Sequence, residues 1–238
     1  MHCTSPRYSY ATSVPQNLAP GIYFDINEIE TQEEPIKDIP EECLILLSQE
    51  VNKKTEDVKK SLKYYALTKG YLRINKQMRA VSSSNDDSKI TNHIGNIFHN
   101  MDDMCFNHQV RLFRTEADDY KQNVQGKEIT SRQLREGDIW QFPSFVSASI
   151  TNKPNSPKIQ EEGKLTVFVF EFGKNERIRG LYIGDTAGKR GEYEILLSPG
   201  VAKVKEAYKA TIAMGFVIMK TKFVVVKMDF TSENSNIS

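Results

Sequence analysis

The chain predicts an α+β fold, helices first and strands after, on three observations. Between residues 41 and 104 apolar side chains recur at spacings of three and four, the period of a helix that buries one face. Beyond about residue 109 they give way to short runs rich in β-branched and aromatic residues, such as Lys164-Leu165-Thr166-Val167-Phe168-Val169-Phe170-Glu171-Phe172, which suit a pleated surface. Segregating the two regimes along the chain predicts a small helical lobe packed against a mainly antiparallel sheet. At 238 residues there is enough chain for one medium domain with an appendage.

Met1 to Pro20 is rich in Ser, Thr, Tyr and Pro and lacks a basic segment followed by an apolar one. It therefore reads as a disordered tail and not as a Sec signal. Glu28 to Glu42 is acidic and broken by Pro35 and Pro40, the mark of a linker, so residues 1–40 form the expected tail and linker. From Glu41 to Ala80 the pattern is helical: Leu44, Leu47 and Val51 make one stripe, and Val58, Leu62 and Tyr65 another behind Thr55 as N-cap. Gly70 is the expected stop. After the polar break Ser82 to Asp87, the residues Ile90, Ile94, Ile97, Met101 and Met104 form the best amphipathic pattern in the chain. Residues 41–107 are thus the expected helical lobe. The expected strands are Val110 to Thr115, a turn and strand within Gly137 to Ser149, Lys164 to Phe172, Ile178 to Ile183, Tyr193 to Leu197, a segment near Ala210 to Met219, and Phe223 to Phe230. They make a core of residues 108–232, followed by a tail of 233–238.

Bulk properties exclude several functions. Thirty-two basic against thirty-one acidic side chains leave a net charge of +1, so no global field points to nucleic acid or a membrane surface. The apolar stretch Ala213 to Met219 stops at Lys220, far too short to span a bilayer. Cys3, Cys43 and Cys105 have no paired spacing, which argues against a disulfide framework or zinc site and for a reducing compartment. His93, His99 and His108 lie near one another, but no Cys or carboxylate completes a metal-ligand spacing, and they read as surface or packing residues. Lys53, Lys54, Lys59, Lys60 and Lys63 could meet an acidic partner, although a charge run on a helix is more often a solvated face.

Three motifs carry candidate chemistry. Gly191-Glu192-Tyr193-Glu194-Ile195-Leu196-Leu197 sets two carboxylates two residues apart at the mouth of an apolar strand. Strand side chains alternate faces, so Glu192 and Glu194 share one, with Cβ atoms roughly 7 Å apart. Such a pair is costly when both are ionised and useful when a cation develops between them. Upstream lie Val110-Arg111-Leu112-Phe113-Arg114-Thr115 and Gly137-Asp138-Ile139-Trp140-Gln141-Phe142-Pro143-Ser144-Phe145-Val146-Ser147-Ala148-Ser149. Each alone has a bland reading: a strand-end charge, a buried hydroxyl, a solvated strand face. Arginine, then aromatic-x-Ser-x-Ser, then Glu-x-Glu, each on a strand and in that order, resembles the arginine–serine–glutamate class of mono-ADP-ribosyltransferases. That class includes bacterial toxins, injected effectors and vertebrate ecto-enzymes, and the resemblance covers residues from about 85 to 230.

The resemblance implies an ADP-ribosyltransferase-like fold, two roughly perpendicular, mainly antiparallel sheets around an NAD cleft with an N-terminal helical lobe. It implies NAD as substrate and no metal. Glu194 would be the essential acid, beside the ribose 2′-hydroxyl and the cation formed as nicotinamide departs. Ser147 would orient Glu194, and Arg114 would hold the pyrophosphate with its paired donors. Arg111, on the opposite strand face, is the rival. Glu192 would position the acceptor, in this class an arginine, although a hydroxyl or amide acceptor stays open. Residues 184–191 sit where the family keeps its substrate-recognition loop. Their Gly188-Lys189 is no phosphate-binding loop, because Arg190 replaces the Ser/Thr and a strand follows. Lys153 and Lys158 are surface lysines or phosphate contacts. Partners implied are NAD and a target protein of a eukaryotic host, with a monomeric enzyme that leaves a bacterium without a Sec signal and is injected into the host cytoplasm.

Two departures from the family pattern stand out. Ala148 replaces a usual Thr, and Thr115 follows the arginine where many members have Gly; as a cofactor-binding position Thr115 brings a Cβ close to the nicotinamide amide. Alternatives on the same residues are an NAD glycohydrolase, a degenerate binding module, and a glycoside hydrolase using Glu192 and Glu194 as acid and base. The last is weak, since such pairs flank a sugar from opposed sides.

Overall fold

The computed structural model describes residues 2–3, 22–23, 41–67, 69–80, 87–106, 109–117, 121–150, 165–184, 194–214 and 217–232. Glu192, Lys153, Lys158, His108, residues 185–191, most of 1–40 and the tail 233–238 lie outside the described residues. The elements are β1 (His2–Cys3), β2 (Ile22–Tyr23), α1 (Glu41–Asn52), α2 (Glu56–Leu67), α3 (Gly70–Arg79), α4 (Ser88–Phe98), β3 (Asp102–Phe106), β4 (Val110–Ala117), β5 (Lys121–Val124), β6 (Lys127–Thr130), β7 (Ile139–Phe142), β8 (Val146–Ser149), β9 (Leu165–Phe172), β10 (Arg177–Tyr182), β11 (Glu194–Leu197), β12 (Gly200–Met214) and β13 (Val217–Ser232). The fold is α+β, with the four helices before the main run of strands as the patterning implied, although β1 and β2, within the expected tail and linker, pair with β3 and β12.

Helix boundaries follow local chemistry. Thr55 caps α2, its hydroxyl accepting from the Val58 amide at 3.5 Å, and Asp87 caps α4 by accepting from the Lys89 amide at 3.0 Å. Gly70 is not a stop but the first residue of α3. A Cβ there would lie 2.3 Å from the Tyr64 carbonyl oxygen, so glycine permits the tight corner between α2 and α3. The helix expected through Met104 ends at Phe98. The Asn100 side-chain amide donates to the Asn96 carbonyl at 3.0 Å, satisfying one of the terminal acceptors. Met104 instead belongs to β3, which pairs with β10. Its spacing of three from Met101 mimicked a further helical turn. The segment near Ala210 to Met219 also differs from expectation: it ends one strand and begins the next, and β12 and β13 form a long antiparallel hairpin.

Hydrogen bonding runs through the strands in the order β1-β3-β10-β11-β8-β4-β9-β13-β12-β2, with β7 on β12 and a separate β5–β6 hairpin. The two expected sheets are joined at one point. β4 and β8 share a single residue pair, Phe113 with Ser149, whereas β4 pairs with β9 along its length, from Val110 opposite Phe172 to Ala117 opposite Leu165. The main core lies between the two halves: Val146, Ala148, Ile178, Tyr182, Ile195 and Leu197 come from one, and Val110, Leu112, Phe168, Phe170, Val226 and Phe230 from the other.

Alternation along the strands then determines where the helices sit. Leu181, Ile183 and Leu196 face the other way and join Val58, Leu62, Tyr65, Ile74, Ile90 and Ile97 in a second cluster. The helices therefore cover the outer face of the β10–β11–β8 half. Each fully buried Leu or Ile at this seam contributes on the order of 1.5–3 kcal/mol. Lys54 also ties the α1–α2 corner to β3 through Asp102 at 2.5 Å.

On the other half, Arg111 and Lys205 clamp Glu171, at 2.7 Å and 3.0 Å. Burial pulls the Glu171 carboxyl up, but the Lys205 hydrogen bond and the Arg111 guanidinium outweigh it and hold the group below the usual carboxylate range. A depressed folded value means this stabilisation is complete above the unfolded glutamate value of about 4.3 and disappears as pH falls through the folded one. Glu171→Ala is expected to cost about 1–3 kcal/mol at neutral pH, measured by urea unfolding, because it strands Arg111 without its carboxylate. Its stability is also expected to fall less steeply than wild type as pH drops below about 4.3.

Candidate active site

The strand β8 reads Val146-Ser147-Ala148-Ser149 and β11 reads Glu194-Ile195-Leu196-Leu197. With Val146, Ala148, Ile195 and Leu197 in the main core, the pleat sends Ser147, Ser149 and Glu194 to the side covered by the helices. Register then brings them together. Glu194 lies opposite Ser149 on β8, and Ser149 lies opposite Phe113 on β4, so one row crosses three strands at the point where the sheet halves join. Ser147, diagonal to Glu194, donates its hydroxyl hydrogen to the carboxylate oxygen Oε1.

Arg114 is the residue after the junction. Its Nη1 donates to the Ser147 carbonyl at 3.0 Å, a side chain standing where the strands share no further ladder. Its Nε is 3.5 Å from Glu116 Oε2, and both side chains are mostly buried. The rival Arg111 projects to the opposite face of β4 and is held by Glu171. Thr115, the departure beside Arg114, also projects to the face opposite it, as consecutive strand residues must, and is half-buried. Ala148 is 1 % exposed in the main core. A threonine there would place a hydroxyl among apolar side chains, so the departure costs the site nothing that points into it.

The helices contribute residues that sequence reasoning missed. Tyr65 of α2 is buried with its ring edge-on to Phe145 at 6.2 Å. Burial pushes its hydroxyl up to about 12, and the charges acting on it are those of Arg114, Glu194 and Arg79, alongside a hydrogen bond from Asn75. Asn75 of α3 is 7 % exposed, and its Oδ1 has no hydrogen-bond partner among the described residues. Arg79 donates from Nε to the Ser144 hydroxyl at 3.2 Å. Arg79 and Arg114 thus line one shallow recess with Glu116, Ser144 and Phe145. The legible signal was Asn75, an amide beside Ile74 in the buried stripe of α3, where an apolar residue belongs unless a polar group meets it.

Two cations and an open acceptor next to a serine-anchored carboxylate fit an anionic substrate whose reaction develops positive charge. His93 takes no part in such a site, being stacked on Tyr64 and bonded to Ser61 at 2.9 Å. Among the described residues no three His, Cys, Asp or Glu side chains gather as a metal cluster, and no helix there is long and apolar enough to cross a membrane.

The family model of the ADP-ribosyltransferase exoenzymes matches residues 31–227. The chain belongs to this family. No curated protein sequence matches it. Among solved structures, this exoenzyme chain is similar to C2-I, the enzymatic component of the Clostridium botulinum C2 toxin, with a TM-score of 0.61, 17% identity, 82% of this chain and 48% of that chain covered. It is similar to Plx2a, an ADP-ribosyltransferase toxin from Paenibacillus larvae, with a TM-score of 0.58, 15% identity and 78% and 91% covered. BECa, an ADP-ribosylating toxin of a C. perfringens binary enterotoxin solved with NADH, gives a TM-score of 0.58, 14% identity and 79% and 48% covered. The chain therefore spans about half the length of C2-I and BECa. At these identities the likeness is one of fold, and the fold is that of the ADP-ribosyltransferase toxins. NAD is the substrate of the family's reaction.

Removing the Tyr65 hydroxyl isolates its part in this arrangement. Tyr65→Phe keeps the ring against Phe145 and strips Asn75 of its partner, so urea unfolding is expected to show a loss of about 1–3 kcal/mol. Because the wild-type phenol stays protonated well past the ordinary value, ultraviolet absorbance at about pH 10.5 is expected to report the same number of phenolates in both proteins. One phenolate fewer in the variant would contradict the buried placement.

Proposed function

We propose that this exoenzyme chain is a mono-ADP-ribosyltransferase that cleaves the nicotinamide–ribose bond of NAD and transfers ADP-ribose to a side chain of a host protein, arginine favoured. The observation that carries the reading is the Ser147–Glu194 hydrogen bond beside Arg114, in a chain of this family. The C–N bond breaks with its electron pair leaving on neutral nicotinamide, and the ribose becomes an oxocarbenium-like cation. Glu194 stabilises that charge and holds the ribose 2′-hydroxyl. Ser147 keeps the carboxylate aimed, so no reorganisation is needed as charge develops.

Arg114 binds the dinucleotide's pyrophosphate. Arg79 lines the same recess as Arg114 as a second cation, and Tyr65 stands among these charges with Asn75 bonded to it, the open Asn75 oxygen serving as an acceptor for a substrate N–H or O–H. Glu192 holds the acceptor guanidinium and takes the proton it loses when its nitrogen bonds to the ribose carbon. Thr115 contributes through its backbone, since its side chain faces away. The enzyme acts as a monomer on a protein of a eukaryotic host cell. If water instead of a side chain takes the ribosyl cation, the same residues make an NAD glycohydrolase.

Labelled NAD and a eukaryotic cell lysate decide the matter when free nicotinamide and label on protein are followed together. Wild type is expected to label discrete proteins. Glu194→Ala should lose both signals by about 10³-fold or more; full activity in that variant refutes the assignment. Nicotinamide release with no labelled protein assigns the glycohydrolase.

Two further variants separate roles. Glu192→Ala is expected to keep much of its nicotinamide release and lose protein labelling, and equal loss of both would remove its acceptor role. Arg114→Ala is expected to raise the Kd for NAD by about tenfold or more, as the loss of a charge-assisted pair worth roughly 1.5–3 kcal/mol requires.

A further inference from the structure

Two glutamates, equally buried, meet the two arginines of β4 in very different ways. The side chains of Glu171 and Glu116 are each 13 % exposed. Glu171 accepts from Arg111 at both Nε and Nη2, at 2.8 and 2.7 Å, and from Lys205 at 3.0 Å. Glu116 meets Arg114 at Nε, at 3.5 Å, the outer limit of a hydrogen bond. A carboxylate withdrawn that far from water is costly unless it is closely paired and hydrogen-bonded. The tight clamp on Glu171 meets that requirement, and the loose contact of Glu116 does not.

Position explains the difference. Arg114 and Glu116 are two residues apart and share one face of β4, beyond the single pair that joins β4 to β8. With Arg79 they line the shallow recess of the candidate site, where Glu116 is the acid between two cations. Arg114 is also anchored without Glu116, since its Nη1 donates to the Ser147 carbonyl at 3.0 Å. Its guanidinium therefore keeps its place when the carboxylate moves off, and its remaining N–H donors can turn to another anion.

We propose that Glu116 is an exchangeable counter-ion: it neutralises Arg114 in the free enzyme and yields the guanidinium to the phosphates of the bound dinucleotide. The inference rests on the transferase reading above, in which Arg114 takes the pyrophosphate. No covalent bond changes, and one charge-assisted contact replaces another. Before substrate binds, Glu116 offsets the repulsion between two arginines facing one recess. Once the phosphates are seated it is a like charge beside them. It thus stabilises the free protein and limits affinity for the substrate, two effects of opposite sign from one carboxylate.

That opposition supplies the test. Kd values for NADH, whose reduced ring is a poor leaving group, and for inorganic pyrophosphate are measured by titration calorimetry, with urea unfolding alongside. Glu116→Gln is expected to be less stable than wild type yet to bind both probes at least about threefold more tightly. Glu116→Asp keeps the charge but draws it back from Arg114 by one methylene, and is expected to bind with an affinity between those of the other two. Glu171→Gln makes the same charge change at an equally buried carboxylate on the other arginine, and is expected to lose stability with no change in either Kd. Unchanged or weaker binding in Glu116→Gln or Glu116→Asp means that Glu116 merely props Arg114 and overturns the exchange. Equal tightening in Glu171→Gln makes the effect one of net charge, and tightening for NADH without pyrophosphate moves it away from the phosphates; either also overturns it. Nicotinamide release from NAD by wild type separates the failures. Its absence refutes the transferase reading and the exchange with it, whereas its presence with unchanged binding in Glu116→Gln refutes the exchange alone.

Discussion

Much of this molecule depends on the place where β4 and β8 meet for one residue pair and then part. A sheet that continued its ladder there would be flat and closed to substrate. Breaking it leaves backbone groups without strand partners, and such groups are costly when buried. Arg114 offsets part of that cost by donating to the Ser147 carbonyl. The same contact brings a guanidinium next to the serine that holds Glu194. The opening of the sheet and the assembly of the site are thus one structural event, and the cation is placed by a bond the backbone already requires.

The helical lobe completes the arrangement because of strand alternation. Residues of β8 and β11 that point into the main core are apolar, and those on the reverse face are Ser147, Ser149, Glu194 and Leu196. A face of that composition cannot be left entirely to apolar packing. The helices meet it with Tyr65 and Asn75 in addition to leucines and isoleucines. Burial explains why Tyr65 resists ionisation and why the Asn75 oxygen is conspicuous: polar groups withdrawn from water are retained where something polar answers them. Stability and function compete directly at this seam, and the orphaned acceptor marks the side on which stability gave way.

Charge in the chain is balanced overall but not evenly. Lys53, Lys54, Lys59 and Lys60 are offset by acids a turn away or across the lobe, and Glu171 is shared by Arg111 and Lys205 in the other half of the molecule. On α3, Arg73 and Lys76 are exposed and make no ion pair with an acid among the described residues. Composition alone could not separate these cases, since a run of lysines and a run of ion pairs read alike until partners are seen.

The sequence by itself determined the order of helices and strands, the caps at Thr55 and the alternation that makes β8 and β11 two-faced, because these are local consequences of side-chain period and backbone chemistry. It also carried Arg114, Ser147 and Glu194 in the right order on strands, and all three converge. Tertiary structure decided the rest. Met104 left its helical spacing for a strand because β10 offered a ladder, and Gly70 began a helix because Tyr64 allowed no Cβ. Arg111 and Arg114, chemically alike and three residues apart, were assigned to different work by a half-turn of the pleat and by which partner waited on each face. Tyr65, Asn75 and Arg79 joined the site from helices distant in sequence, through packing contacts that no local pattern encodes.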